Sequence, residues 1–195
     1  MAKENNIKPI ELFNRWYTDE LNLRKEKIPS VCCLSTIGVD GFPNARYISL
    51  KEVAGDCFSV TGPVTSRKGI EVSAVNKIAL TFWWKATERQ VRIQGIAHTI
   101  SERQADKYFN KRSLYSQAVS SICDQGKEIE YPENLKKRVL QKVSEATKII
   151  RPNNWGVFSI KPIRMEFMEF KESRFHDRKL FELGNNGWTL NQIQP

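Results

Sequence analysis

Short segments with strand-like alternation, separated by turn residues, recur through most of this sequence and constrain its fold more than any other feature. In residues 89–98, apolar or small side chains alternate with polar ones, which is typical of a strand with one face in a core. Gly38 to Gly41 and Gly184 to Gly187 are turn signals between such segments. Strands are predicted at 31–36, 45–51, 57–61, 78–84, 89–98, 156–160, 163–170, 179–183 and 188–190.

Helices are predicted among these strands. An amphipathic helix over 9–27, with Ile10, Phe13, Trp16 and Tyr17 at helical spacing, would cover one edge of the core. Further helices are predicted at 65–75, 101–109, 115–124 and 133–148. Because no βαβ rhythm links the elements, the sequence predicts one α+β domain over 1–195, built on an antiparallel barrel with peripheral helices.

The net charge of +9 narrows the choice of partners. Lys and Arg are scattered singly or in pairs instead of forming a block, so we expect no nucleic-acid binding. Small phosphorylated ligands would need the same positive charge.

The longest apolar stretch, 78–84, is too short to cross a bilayer. Residues 1–9 lack the pattern of a signal peptide, so we expect no membrane association and a cytoplasmic protein.

The four cysteines, at positions 32, 33, 57 and 123, lack CxxC spacing and an accompanying His pair. They therefore predict neither a metal site nor a disulfide framework, and we expect reduced thiols.

Two segments carry the residues that phosphate binding needs. Thr65 to Gly69 combines hydroxyls, two cations and a predicted helix N-terminus, which favours an anion, although such a start is also common in simple helix capping. Arg112 to Ser116, just beyond Tyr108, offers a guanidinium and hydroxyls for a second phosphate. Arg46 and Lys51 lie five residues apart on one predicted strand, so they face opposite sides unless a bulge intervenes, and both could simply be solvated.

Arg174 to Arg178 contains His176, one of only two histidines in the chain. On a strand, Arg174, His176 and Arg178 share one face. This face is either a solvated sheet edge or part of a site, and the pattern alone leaves both open.

Taken together, in order and over about residues 10–195, these segments resemble the pyridoxamine 5'-phosphate oxidase family. The stretches that carry the resemblance are 46–51, 66–69, 88–95, 107–109 with Arg112 and 116–117, 151–152 with 155–156, and 174–178. The resemblance implies a Greek-key split β-barrel that binds FMN, with the N-terminal helix (1–27) covering the barrel and the strands of 155–195 carrying a substrate motif. It also implies a homodimer with FMN at the subunit interface.

The resemblance further implies roles for individual residues. FMN would be held by Arg46, Lys51, Thr61, Ser66, Arg67, Lys68, Gln90, Gln125, Trp155 and Arg178. The phosphorylated B6 vitamer would be bound by Lys51, Tyr108, Arg112, Ser116, Arg174 and His176, of which Arg174 and His176 would be the catalytic pair. The implied reaction makes pyridoxal 5'-phosphate and reduces O2 to hydrogen peroxide.

Several positions depart from the family's usual pattern, among them Gly62-Pro63, 123–126, 165–170 and the C-terminal 191–195. Two alternatives therefore stay open beside the B6 oxidase. One is a flavin oxidase that acts on another aromatic compound of the phenazine type, and the other is a protein that binds FMN or pyridoxal phosphate without catalysis.

Overall fold

The computed structural model describes residues 8–23 and 30–195. Its strands are β1 Val31–Ile37, β2 Pro43–Ala54, β3 Cys57–Pro63, β4 Lys77–Trp84, β5 Arg89–Thr99, β6 Trp155–Glu169, β7 Asp177–Gly184 and β8 Gly187–Gln192. Its helices are α1 Pro9–Leu23, α2 Arg67–Ala74, α3 Glu102–Asn110, α4 Leu114–Ile122 and α5 Pro132–Glu145. The predicted end of the first helix, at 24–27, lies outside the described residues.

The sheet is antiparallel throughout and closes into a barrel. Its strand order is β3-β2-β1-β4-β5-β6-β7-β8, and an additional pairing of β3 with β6 closes the first six strands on themselves. β7 and β8 extend the sheet beyond the barrel from the second half of β6. The predicted α+β fold with an antiparallel split barrel is confirmed.

The predicted break between 156–160 and 163–170 is wrong, because β6 runs unbroken from Trp155 to Glu169. Its first half pairs with β3 and its second half with β7, while β5 follows it along nearly its whole length. A register shift opposite Gln94 and Gly95 absorbs the irregularity that Pro162 brings, so the strand bends instead of ending.

The last predicted helix is also too long at its C-terminus. α5 ends at Glu145, and Ala146 has extended backbone angles (φ −90°, ψ 124°). The chain beyond the helix is not helical, and Ile149 in it is buried.

Two hydrophobic clusters stabilise the molecule. The larger fills the barrel and includes the apolar face of α1, where Phe13 packs edge-on against Phe58 and Phe82, at ring centroid distances of 4.8 and 5.1 Å. The smaller lies under α3, α4 and α5 and is centred on Phe109 and Trp155. Trp155 of this smaller cluster also borders a cleft between the barrel and α4.

All four cysteines are free. Burial, with a smaller contribution from neighbouring Cys33, raises the pKa of Cys32 to about 12, so this thiol stays protonated near neutral pH. None of the helices within residues 8–23 and 30–195 is long and apolar enough to span a membrane.

Candidate functional site

A cleft of about 500 Å³, here called the basic cleft, lies where β2 and β3 meet α2 and α4. Four of its lining residues are cations contributed by different elements, Arg46 and Lys51 by β2, Lys68 by α2 and Arg112 by the turn before α4. The cations face Thr61, Gln125 and the buried ring of Trp155. Seven of the residues predicted from the sequence are thus brought together in one place.

Lys51 lies at a β-bulge in β2. The pairing of β2 with β3 passes from Leu50 opposite Val60 directly to Glu52 opposite Ser59, so Lys51 has no partner across the strands. Arg46 and Lys51 both line the cleft, as do the three residues 47–49 between them, so the cleft contacts both faces of β2. The opposite facing expected for this pair from regular alternation therefore does not keep either of them out of the cleft.

The start of α2, here called the cradle, has groups suited to binding an anion. Ser66 precedes the helix without capping it through its side chain; instead its hydroxyl donates to the Pro63 carbonyl and accepts from Lys68 Nζ at 2.9 Å. The first N–H groups of α2 therefore have no side-chain cap, which leaves them able to bind an anion. Gly62 makes room for Lys68, because a Cβ there would approach Lys68 Cε to 2.8 Å.

Lys68 is a partly buried cation of the cleft. Burial, and then the positive charge of Arg46, lowers its pKa to about 8. Its Nζ donates to Gln125 Oε1 at 2.6 Å as well as to Ser66, and these are uncharged partners. An anionic ligand would relieve this unfavourable environment.

Glu71 binds the two arginines beside the cradle, and its role was not predicted from the sequence. Its buried carboxylate accepts hydrogen bonds from Thr36, from Arg46 Nη2 at 2.7 Å and from Arg67 Nε at 2.9 Å. Burial alone would raise the pKa of Glu71, but these hydrogen bonds outweigh it and hold the pKa below its usual range. The spacing of four residues between Arg67 and Glu71 on one helix was the available signal.

Lys51 and Arg112 form a second cationic pair in the cleft. Arg112 lies over the ring of Trp155 at 5.1 Å and donates to Ser120 Oγ at 2.7 Å. Desolvation and the charge of Arg112 lower the pKa of Lys51, and burial lowers the pKa of Arg112. Among residues 8–23 and 30–195, no carboxylate forms an ion pair with either cation, so this pair also suits an anion.

Tyr108 and Ser116 adjoin this second pair but do not line the cleft. The Tyr108 hydroxyl donates a hydrogen bond to Glu52, the residue next to Lys51. Ser116, in the first turn of α4, receives a hydrogen bond from Ser113 Oγ at 2.9 Å.

The other four predicted residues, Gln90, Arg174, His176 and Arg178, lie outside the basic cleft, on β5 and around the β6–β7 turn. They are here called the β5–β7 group. Gln90 and Arg178 flank Met168 from opposite sides across the sheet.

Glu166 holds Arg178 in place, with Arg178 Nη2 at 2.6 Å from Glu166 Oε1. Glu166 also forms an ion pair with Arg92 at 3.2 Å.

The β6–β7 turn fixes the ring of His176. Its Nδ1 accepts a hydrogen bond from the backbone N–H of Lys171 at 3.1 Å, and the ring packs on Phe170 at 4.6 Å. An acceptor at Nδ1 leaves the proton of a neutral imidazole on Nε2. Arg174 in the same turn has a φ of 64°, which is unusual for a residue with a side chain and marks a constrained turn.

Comparison with known proteins shows the family of this chain. The profile of the pyridoxamine 5'-phosphate oxidase family matches residues 22–147, and that of the pyridoxine 5'-phosphate oxidase C-terminal dimerisation region matches residues 155–195. The chain belongs to the pyridoxamine 5'-phosphate oxidase family. A pyridoxine/pyridoxamine 5'-phosphate oxidase from Thermosynechococcus vestitus is 35% identical, with 96% of this chain and 89% of that protein covered. The relative of the same name from Nostoc punctiforme is 34% identical, over 98% and 91%.

Two solved structures resemble the fold of this family member closely. PhzG from Burkholderia lata 383, in complex with tetrahydrophenazine-1-carboxylic acid, has a TM-score of 0.94 and 27% identity over 98% of this chain and 95% of that chain. A pyridoxamine 5'-phosphate oxidase-related, FMN-binding protein from Nostoc punctiforme has a TM-score of 0.80 at 14% identity, covering 97% and 100%, and supports the fold alone.

Membership of the family supports a flavin oxidase, and the residues of the cleft fit a flavin. The α2 cradle with Arg46 and Lys68 suits a phosphate, and the cleft is large enough for an aromatic ring system beside it. The matched dimerisation region supports a homodimer.

Proposed function

We propose that this protein is an FMN-dependent oxidase that converts pyridoxamine 5'-phosphate or pyridoxine 5'-phosphate to pyridoxal 5'-phosphate, with O2 reduced to hydrogen peroxide. The observation that carries the proposal is the presence of two separate cationic pairs in one cleft, Arg46 with Lys68 and Lys51 with Arg112. Two pairs suit two phosphorylated ligands, a cofactor and a substrate. We expect the reaction to take place in the cytoplasm.

In this proposal the first pair binds the FMN phosphate. Lys68 and the uncapped N-terminus of α2 would neutralise the dianion, with Ser66, Arg67 and Thr61 beside it, and Glu71 would keep Arg46 in place. Gln125 and Trp155 would border the rest of the cofactor. FMN, when bound, would accept two electrons from C4' of the substrate and pass them to O2.

The second pair would bind the substrate phosphate, with Tyr108 and Ser116 at its edge. Clamping each phosphate on a different side of the cleft would hold the substrate ring against the cofactor, which supplies much of the rate enhancement in such reactions. Lys51, at the bulge, lies near enough to serve both ligands.

The β5–β7 group would complete the site from the second subunit of the homodimer. Gln90 and Arg178 would contact the cofactor there, and Arg174 and His176 would cover the substrate ring. With Nδ1 occupied by the Lys171 N–H, a neutral His176 would offer its Nε2 proton to the substrate. The separation of this group from the cleft within one chain is what motivates the shared site.

The test is anaerobic mixing of the FMN-reconstituted protein with pyridoxamine 5'-phosphate, with the visible absorbance of the flavin as the readout. Bleaching that yields pyridoxal 5'-phosphate, and regain of absorbance with formation of hydrogen peroxide on admitting O2, are the expected results. Pyridoxamine without a phosphate is the matched control and should bleach the flavin far more slowly. A flavin that binds but stays oxidised with both B6 phosphates would contradict the proposal.

A second candidate is oxidation of a tricyclic aromatic acid, favoured by the TM-score of 0.94 to PhzG in complex with tetrahydrophenazine-1-carboxylic acid. The same assay with that compound decides between the two, because each substrate bleaches the flavin only if it is productively bound. A protein that binds FMN or pyridoxal phosphate without catalysis would bleach with neither.

A further inference from the structure

Glu52 stands out near the basic cleft because it is a carboxylate placed beside a cationic pair. It follows Lys51 directly at the bulge of β2 and lies opposite the buried Ser59 of β3. In a bulge, two residues of one strand oppose a single residue of the other, so Lys51 and Glu52 share the position facing Ser59. A positive and a negative side chain therefore leave the strand at nearly the same point.

The contact of Glu52 gives it a specific effect. The Tyr108 hydroxyl donates a hydrogen bond to Glu52 Oε1. Burial, and then the hydrogen bond to Glu52, raise the pKa of Tyr108, so the phenol keeps its proton near neutral pH. A phenol can donate only one hydrogen bond, and in this structure Tyr108 donates it to Glu52.

This contact opposes binding of a dianion at Lys51 and Arg112. A phosphate that uses the Tyr108 proton must displace Glu52, and wherever the carboxylate remains close it repels the phosphate. A monoanionic carboxylate on a ligand would suffer about half of that repulsion. The charge of Glu52 therefore bears on which anionic group the cleft accepts.

We propose that Glu52 is a specificity-determining residue. By accepting the hydrogen bond of Tyr108, it keeps that hydroxyl from donating to the anionic group of the substrate, here called the anionic arm. Glu52 therefore weakens the binding of a ligand with a phosphate relative to the same ligand without one. The inference rests on the proposed function in taking Lys51 and Arg112 as the site of that arm. Glu52 is not a catalytic residue in this proposal, since it acts through Tyr108 and through its charge.

The test is the ratio of two dissociation constants, measured on the FMN-loaded protein by equilibrium titration with pyridoxal 5'-phosphate and with pyridoxal. The variant Glu52→Gln keeps the size of the side chain and removes its charge. We expect it to bind pyridoxal 5'-phosphate about 5 to 20 times more tightly, because one repulsive charge at short range is removed in a partly solvated site. Binding of pyridoxal should change less than about twofold.

Asp56→Asn is the matched control, since Asp56 is an exposed acid on the turn between β2 and β3, four residues further along the chain. It removes the same charge without touching Tyr108 and should leave both constants nearly unchanged. In a Tyr108→Phe background the effect of Glu52→Gln should shrink, because the two residues act through one hydrogen bond.

An equal effect of Glu52→Gln and Asp56→Asn would overturn the proposal, because it would mean that only the overall charge matters. Weaker or unchanged binding of pyridoxal 5'-phosphate by Glu52→Gln would also overturn it. These are binding measurements, so they separate the two proposals. A protein that fails to oxidise pyridoxamine 5'-phosphate but shows the Glu52 effect refutes the proposed reaction and supports the role of Glu52.

Discussion

At the scale of single residues, the sequence predicted the residue types at the start of α2 but only part of the contacts made by the acidic residues near them. The run from Thr65 to Gly69 suited either a phosphate site or simple helix capping, because hydroxyls and cations at a helix start fit both. Ser66 does not cap α2 through its side chain, and the phosphate site stays a prediction. The spacing of Arg67 and Glu71 was a signal for one contact of Glu71, but its contacts with Thr36 and Arg46 could not be predicted, because these partners come from other elements. The contact of Glu52 with Tyr108 was beyond prediction for the same reason.

Lys68 should make flavin binding depend on pH. Its pKa in the flavin-free protein is about 8, and a bound phosphate dianion would raise it, so binding takes up a proton above pH 8. The affinity for FMN should therefore fall as the pH rises, by about tenfold between pH 7 and 9, where the FMN phosphate stays dianionic. Quenching of FMN fluorescence on binding measures this.

Lys68→Met is the control for that titration, with Ser66, Gln125 and Arg46 left around the site. It should bind FMN more weakly at pH 7 and lose the decline between pH 7 and 9. An equally steep decline in the variant would assign the pH dependence to another group.

Among the elements, the connection between α1 and the β4–β5 turn was beyond prediction from the sequence. Periodicity predicted α1 as an amphipathic helix, yet the buried acid Glu20 lies on its apolar side. Its carboxylate accepts hydrogen bonds from the backbone N–H groups of Ala86 and Thr87, at 3.1 and 3.0 Å, and from the Thr87 hydroxyl at 2.9 Å. Helix patterns carry no information about a turn more than sixty residues away.

Glu20→Ala should destabilise the protein, because it leaves the turn's donors without their acceptor. We expect the free energy of unfolding to fall by about 2 to 4 kcal/mol, measured by urea unfolding of the flavin-free protein with tryptophan fluorescence. Asp19→Asn is the control on the same helix, since it loses a partly exposed ion pair with Arg89 and should cost about 0.5 kcal/mol. Similar losses in both variants would show that the turn does not depend on Glu20.

At the scale of the whole molecule, the alternation of short segments predicted the barrel. The sequence predicted the residues of the candidate site, but not which of them lie together within one chain. Seven predicted residues line the basic cleft, while the β5–β7 group lies elsewhere on the same chain. Sequence order carries no signal of which residues meet within a chain and which meet across subunits. Two incomplete groups on one chain are what a site shared between two copies requires.

Mixed dimers test this sharing directly. Lys68→Met impairs the cleft and Arg174→Met impairs the β5–β7 group, so each variant alone should have little oxidase activity. Subunits co-expressed with two different tags should regain about one quarter of the wild-type activity, since half of the randomly formed dimers are mixed and one of their two sites is intact.

The same two variants purified separately, and then mixed without exchange of subunits, are the control and should stay inactive. Co-expressed dimers that are as inactive as the separate variants would indicate that each site is formed within one chain.

The bulge in β2 has a consequence for how such a site can change over evolutionary time. Lys51 and Glu52 face Ser59 together only because the strand has one residue more than its partner needs. Loss of a single codon there would restore regular pairing and leave room for one of the two side chains, so a cation and a carboxylate would no longer occur together. A one-residue deletion would thus change the charges that face a ligand more than a single substitution does. For relatives of this protein, the length of this strand therefore matters before the identity of its residues.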